Sequence, residues 1–174
     1  GTINKGDKIL THVSKEKRLA IMKNHSAAHL LQKSLQELLG DAVHQAGSKV
    51  DEESLRFDFT YQGKLSDELI LKVENLVNEK IQRGYETNIE YMNIKEAKEK
   101  GAMALFSDKY GSTVRVVTMG PSIELCAGTH VSNTKDINKA DLCASFEKTV
   151  TEVLIENIRK AIEQTGMKSL AIAG

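Results

Sequence analysis

The stretch Asn24-His25-Ser26-Ala27-Ala28-His29-Leu30-Leu31 carries two histidines four residues apart. Apolar residues recur around it at helical spacing: Leu19, Met22, Leu30, Leu31, Leu35, Leu38 and Leu39. That period predicts one long helix over 15–39, stopped by Gly40. An i, i+4 spacing puts both imidazoles on one helix face, one turn apart. About a hundred residues on, Glu124-Leu125-Cys126-Ala127-Gly128-Thr129-His130 repeats the spacing with a cysteine and a histidine.

Outward from the helix, the pattern is mixed. Residues 42–50 and 55–61 read as two strands joined by an acidic turn, with Arg56-Phe57-Asp58-Phe59 alternating as a half-buried strand does. Ser66 reads as an N-cap, with Asp67 and Glu68 in the first turn. Leu69, Ile70, Val73, Leu76, Val77 and Ile81 supply the stripe of that helix, and Gly84 ends it. Residues 87–94 predict a strand, 95–100 a short polar helix, 113–119 a strand and 123–125 a short extended piece. A further helix is expected over 149–164. There is no regular βαβ alternation, so the fold class is α+β with a central, largely antiparallel sheet packed with helices.

Length and composition bound the function. The 174 residues suit one domain, with 1–14 as a loose tail. Lys plus Arg and Asp plus Glu are 24 each, so the net charge is zero, and a domain gripping a large nucleic acid alone would be basic. Two cysteines make no disulfide framework and suit a reducing compartment. No apolar run approaches ~18 residues, so no membrane span is expected. The chain opens on Gly rather than Met and shows no signal-peptide pattern, so it reads as a fragment or a trimmed chain, the leading Gly a cloning remnant.

His25, His29, Cys126 and His130 are candidate ligands of one metal, and zinc is the usual cation for imidazole and thiolate donors. The long gap between the pairs fits no zinc finger, so the site must close by folding, between the first helix and a later loop. Four protein ligands suit a structural metal, whereas catalysis needs an open position or ligand exchange. A rival assignment makes Cys126 a nucleophile with a histidine base, which leaves the helical pair unused. Asp58 and Glu124 read first as strand-surface charges and second as carboxylates orienting a ligand histidine. Cys143 reads as a core residue, and His12 and His44 as surface or packing residues.

The blocks NHSAAHLL, VHQAGSKV, SLRFDF, GAMALFSDKYG and ELCAGTH resemble, in order and spacing, the editing domain of alanyl-tRNA synthetases, over residues 18–137. The paired HxxxH and CxxxH are shared with threonyl-tRNA synthetase editing domains and free-standing alanyl-tRNA editing proteins; RFDF and GAMALF are similar to the alanyl enzyme in particular. The resemblance implies an α+β domain with zinc on His25, His29, Cys126 and His130. It implies hydrolysis of the ester joining serine, or glycine, to the 3′ end of alanine tRNA. Gln45 matches a pocket-lining position, and Ser26 and Thr129 are further candidates to line a small polar pocket. The partner implied is the tRNA acceptor end, in the cytoplasm, with the ATP-using aminoacylation half and C-terminal domains on the same chain; a stand-alone editor is the alternative. A binding module with structural zinc, or threonyl-type editing, would share the motifs.

The sequence departs from the family at three places. Ala127 and Ser107 stand where the family commonly has glycine. Residues 138–174 form an atypical segment, with Arg159-Lys160 in place of paired arginines.

Overall fold

The computed structural model describes residues 2–61, 65–103 and 112–138. Residues 2–14 contain no helix or strand and are exposed. The helix α1 (Lys15–Leu39) follows, with the Ser14 hydroxyl accepting from the Lys17 amide as its N-cap. It ends at Gly40, whose φ of 96° lies in the region that glycine alone enters without strain. The middle of α1 is covered on every side: Asn24, Ser26 to Gln32, Ser34 and Leu35 are all buried. Small residues at Ser26, Ala27 and Ala28 let neighbouring elements approach that closely. Leu19 and Leu38, read above as part of the stripe, are exposed, because the packed length of the helix stops short of both ends.

Strands β1 (Gln45–Val50) and β2 (Leu55–Phe59) pair antiparallel as a two-stranded ribbon on α1. Both are shorter than the alternation predicts. The Val43 carbonyl accepts from the Gln32 and Gln36 side-chain amides, which holds this part of the chain to α1 ahead of the ladder. At the other end the Thr60 hydroxyl takes up the Ala42 carbonyl. Helix α2 (Asp67–Arg83) is capped by Ser66 and closed by Gly84, φ 69°, and packs Val73, Val77 and Ile81 into the core shared with α1.

Strand β3 (Thr87–Asn93) ends one residue earlier than predicted because Asn93 caps helix α3 (Ile94–Glu99) in a capping box with Glu96. Strands β4 (Thr113–Met119) and β5 (Ser122–Leu125) complete a three-stranded antiparallel sheet of order β3-β4-β5. Antiparallel pairing thus dominates, divided between this sheet and the ribbon. One sheet face, with Val117, Met119 and Glu124, looks towards α1 and α2; the other, with Val114, Val116 and Leu125, is covered by Ala97 and Ala102. A short 3-10 turn (Thr134–Asp136) docks on α2 through the Thr134 hydroxyl. The helix expected over 149–164, Cys143 and the Arg159-Lys160 pair lie outside the described residues, as does Ser107. No helix among the described residues is long and apolar enough to cross a membrane.

Candidate metal centre

The two halves of the motif meet under the middle of α1. His25 and His29 come from consecutive turns of that helix, with ring centroids 5.4 Å apart. Cys126 follows directly on β5, and the chain from Cys126 to His130 turns back beneath the helix. Ser26 fastens the turn: its hydroxyl accepts from the Val131 amide at 3.1 Å and lies 3.4 Å from His130 Nδ1. That leaves His130 Nε2 towards Cys126 Sγ, at 3.4 Å, while His25 Nε2 approaches the same sulfur at 3.5 Å. The four donor atoms all lie within 4.8 Å of one another.

This arrangement fits a metal. Bonds of about 2.0–2.1 Å to nitrogen and about 2.3 Å to sulfur give tetrahedral edges of roughly 3.3–3.6 Å, close to the two sulfur–nitrogen separations here. Three imidazoles and a thiol are a poor group to bury together otherwise. Burial pushes all three histidines down. His29 falls well below its ordinary value, lowered further by His130 and His25. His130 falls to about 3, with burial first and the His25 and Arg115 charges after it. His25 is lowered by burial, an effect opposed by its hydrogen bond to the Thr129 backbone. The Cys126 thiol is pushed up, again chiefly by burial. The imidazoles are therefore neutral at pH 7, the form in which they ligate, and a cation would draw the proton from the thiol.

Glu124 is the residue that the sequence reading undervalued. It is 5% exposed, not on the strand surface, and its Oε2 lies 3.4 Å from His29 Nδ1, itself on a side chain 4% exposed. The pair is close enough for an ion pair but not aligned as a hydrogen bond, so His29 Nδ1 has no aligned acceptor. Burial raises the Glu124 carboxyl to about 7, against the lowering effect of the Ser122 hydroxyl that donates to Oε1 at 3.0 Å. A cation on His29 would favour the carboxylate and tighten the contact, fixing the ring with Nε2 inward. The signal was present in the sequence: Glu124 and Cys126 are two apart on a strand and so share a face. Glu124→Gln should weaken metal binding about 10–100-fold, read by competition with a chromogenic chelator. An unchanged affinity would reduce Glu124 to a packing residue.

Arg115 was also missed. It sits on β4, and its Nη1 donates to the carbonyls of Cys126 at 2.6 Å and Gly128 at 3.0 Å, holding the ligand turn from the sheet side. Gly128 completes the cradle, for a Cβ there would lie 2.0 Å from His25 Cε1. Its amide also points at Cys126 Sγ, at 3.4 Å.

Of the other candidates, Ser26 and the Thr129 backbone lie at the cluster, as above. Gln45 is on the ribbon with its amide donating to Ser48 Oγ at 2.8 Å. Asp58 is also on the ribbon, paired with Arg56 rather than with a ligand histidine. His12 and His44 are exposed.

The pKa shifts fix the pH response of the metal-free protein. The histidines bind protons near pH 6.5 when unfolded and only at lower pH when folded. Their contribution to stability is complete above about pH 6.5 and is lost as pH falls towards about 3. Glu124 has the opposite sign: its contribution is full below about pH 4.5 and fades as pH rises through about 7. Three imidazoles outweigh one carboxyl, so the urea midpoint of chelator-treated protein should fall steadily from neutral pH towards about pH 4.5. A midpoint that rises on acidification would contradict this.

Comparison with known proteins agrees with the geometry. The family described as the threonyl and alanyl tRNA synthetase second additional domain matches residues 114–143. The alanine–tRNA ligases of Staphylococcus aureus strains JH9, Newman and N315 are each 52% identical to the chain over 138 residues. That is 79% of this chain but 16% of the length of those relatives.

Proposed function

Because this chain belongs to the family of threonyl and alanyl tRNA synthetase second additional domains, on the alanyl side, we propose that it removes wrong amino acids from alanine tRNA. The reaction is hydrolysis of the ester that joins serine, and less often glycine, to the 3′ end. The observation that carries the reading is the convergence of His25, His29, Cys126 and His130 from the two ends of the motif onto one point. Zinc suits that donor set, and when bound it would polarise the ester or orient the substrate amino group.

The chain's own residues do the rest. Ser26 holds His130 and the ligand turn in register with α1. Arg115 neutralises the inward carbonyls of the same turn and adds a fixed positive charge beside the ester. Glu124 accepts from His29 once that ring donates through Nδ1. Four converging protein donors support a holding and orienting role for the centre, with the attacking water placed beside it.

Selection follows from pocket chemistry. An apolar pocket sized for alanine discriminates against a missing methyl by only ~1–3 kcal/mol and rejects an added hydroxyl poorly. A second site that hydrogen-bonds the serine hydroxyl does better, because alanine leaves the buried partner unpaired at a cost of roughly 1–3 kcal/mol. Ser26, Thr129 and Gln45 are the proposed lining. Gln45 spends one N–H on Ser48, a bond independent of its carboxamide oxygen, and Ser26 can serve only through the part of its hydroxyl not engaged by Val131 and His130.

The rest of a ligase, which spans far more than this chain, would supply aminoacylation and most of the grip on the tRNA body, in keeping with the net charge of zero. The same closed four-donor shell also supports a second reading, a module that binds the tRNA end around a purely structural metal. The test is to incubate the protein with seryl- and alanyl-tRNA of the alanine type, with and without a chelator. Serine should be released, alanine retained, and the release lost with the chelator. Serine that stays attached to a minihelix under excess protein would leave only the binding module.

A further inference from the structure

Strand order and register set out a row of three residues on the sheet face that looks towards α1. Tyr91 pairs directly with Arg115, so the two side chains leave the same face. The Cys126 amide donates to the Arg115 carbonyl at 3.1 Å, extending the β4–β5 ladder one step beyond Val116 and Leu125. Across the sheet the row therefore runs Tyr91, Arg115, Cys126. The next row on that face is Ile89, Val117, Glu124.

The cover over this face is uneven. Val117 and Glu124 are buried, whereas at the β3 end Tyr91 is 71% exposed and Ile89 42% exposed. An aromatic ring and an aliphatic side chain thus lie bare on the sheet edge, two strand spacings, roughly 10 Å, from a metal-ligating cysteine. Between them stands Arg115, whose guanidinium already holds the ligand turn. The row offers an aromatic face, a fixed positive charge and the donor cluster, in that order. A single 3′-aminoacylated nucleotide presents a base, a sugar-phosphate and an ester in the same order and over a similar span.

We propose that Tyr91, flanked by Ile89, is the stacking shelf for the base of the terminal nucleotide, and so a positioning residue that sets the ester over the metal centre. This rests on the proposed deacylase reading for the identity of the ligand. Stacking on an aromatic ring is tolerant of base identity and strong enough to place a strand end. The shelf needs a flat ring and no hydroxyl, so Phe should replace Tyr91 and Ala should not.

The chain contains no tryptophan, so Tyr91→Trp introduces the single indole of the protein at the shelf. The ligand for binding is an acceptor-stem minihelix carrying serine through a non-hydrolysable amide. We expect quenching with that minihelix and none with one whose terminal nucleotide lacks its base. In deacylation, Tyr91→Ala should raise KM about tenfold with kcat little changed, Tyr91→Phe should behave as the parent, and the base-less minihelix should erase the difference. Indole fluorescence of the Tyr91→Trp variant that stays unquenched while competition shows the minihelix bound, or an unchanged KM in Tyr91→Ala, overturns the shelf and leaves the deacylase reading intact. Quenching without serine release by the parent protein would instead sustain the shelf and sink that reading. A minihelix that fails to bind at saturating protein overturns both.

Discussion

His29→Ala should lower the affinity for a divalent metal between about a hundredfold and a thousandfold. Apparent binding energies of structural zinc sites, about 10–16 kcal/mol, shared over four ligands, give roughly 2.5–4 kcal/mol for each. His29 is the sharpest choice because it is the most enclosed of the three rings, so water cannot readily take its place. The loss also strands Glu124, whose buried carboxyl, raised to about 7 by desolvation, loses the ring it faces. The measurement is a competition titration against a chromogenic chelator, with His12→Ala as the exposed control. Equal affinities for the two variants would remove His29 from the ligand set.

Gly128→Ala should be nearly as damaging, although it deletes nothing. The added Cβ would lie 2.0 Å from His25 Cε1 and 2.4 Å from Nδ1, far inside contact distance. Either the ring swings away and loses its 3.5 Å approach to Cys126 Sγ, or the turn lifts off α1. Lifting the turn strains the Gly128 carbonyl on Arg115 and the Val131 amide on Ser26. Overpacking of this kind costs about 1–3 kcal/mol of stability, and here it also displaces a ligand. The neighbouring Ala127→Gly is the contrast. Ala127 is exposed, and no non-glycine residue among those described has a positive φ. Restoring the glycine common in the family should thus change stability by less than about 1 kcal/mol and leave metal affinity alone. Of the two glycines in the family motif, contact rather than backbone angle makes the second one necessary. A Gly128→Ala protein with parental affinity would show that the turn relaxes freely and that the cradle is not a constraint.

The parts of the fold read well from sequence are those set by local rules. Helix α1 was legible because its period and its stop at Gly40 agree; its N-cap, Ser14, came only with the structure. The same holds for Ser66 and Gly84 around α2. The helical pair of candidate ligands, His25 and His29, was legible because i, i+4 spacing on a helix is a geometric statement, whereas Cys126 and His130 lie on a turn and were read only as its matching half. What escaped was set by partners distant in sequence. The Val43 carbonyl is held by Gln32 and Gln36, which no strand pattern encodes. Arg115 looked like an ordinary alternating strand residue until the ligand turn placed two carbonyls on it. Glu124 looked like a surface charge because burial depends on α1 crossing above it. The residues proposed to line a small polar pocket carry no local pattern at all, and Gln45 entered only through resemblance.

The most direct test of the four-donor centre is X-ray absorption at the zinc edge on protein loaded with one equivalent of zinc. The expected shell is a single sulfur at about 2.3 Å with three nitrogens at about 2.0 Å, and the sulfur contribution should vanish in Cys126→Ser. A shell without sulfur in the parent protein, or a folded protein that takes up no zinc, would contradict the assignment of His25, His29, Cys126 and His130 to one metal.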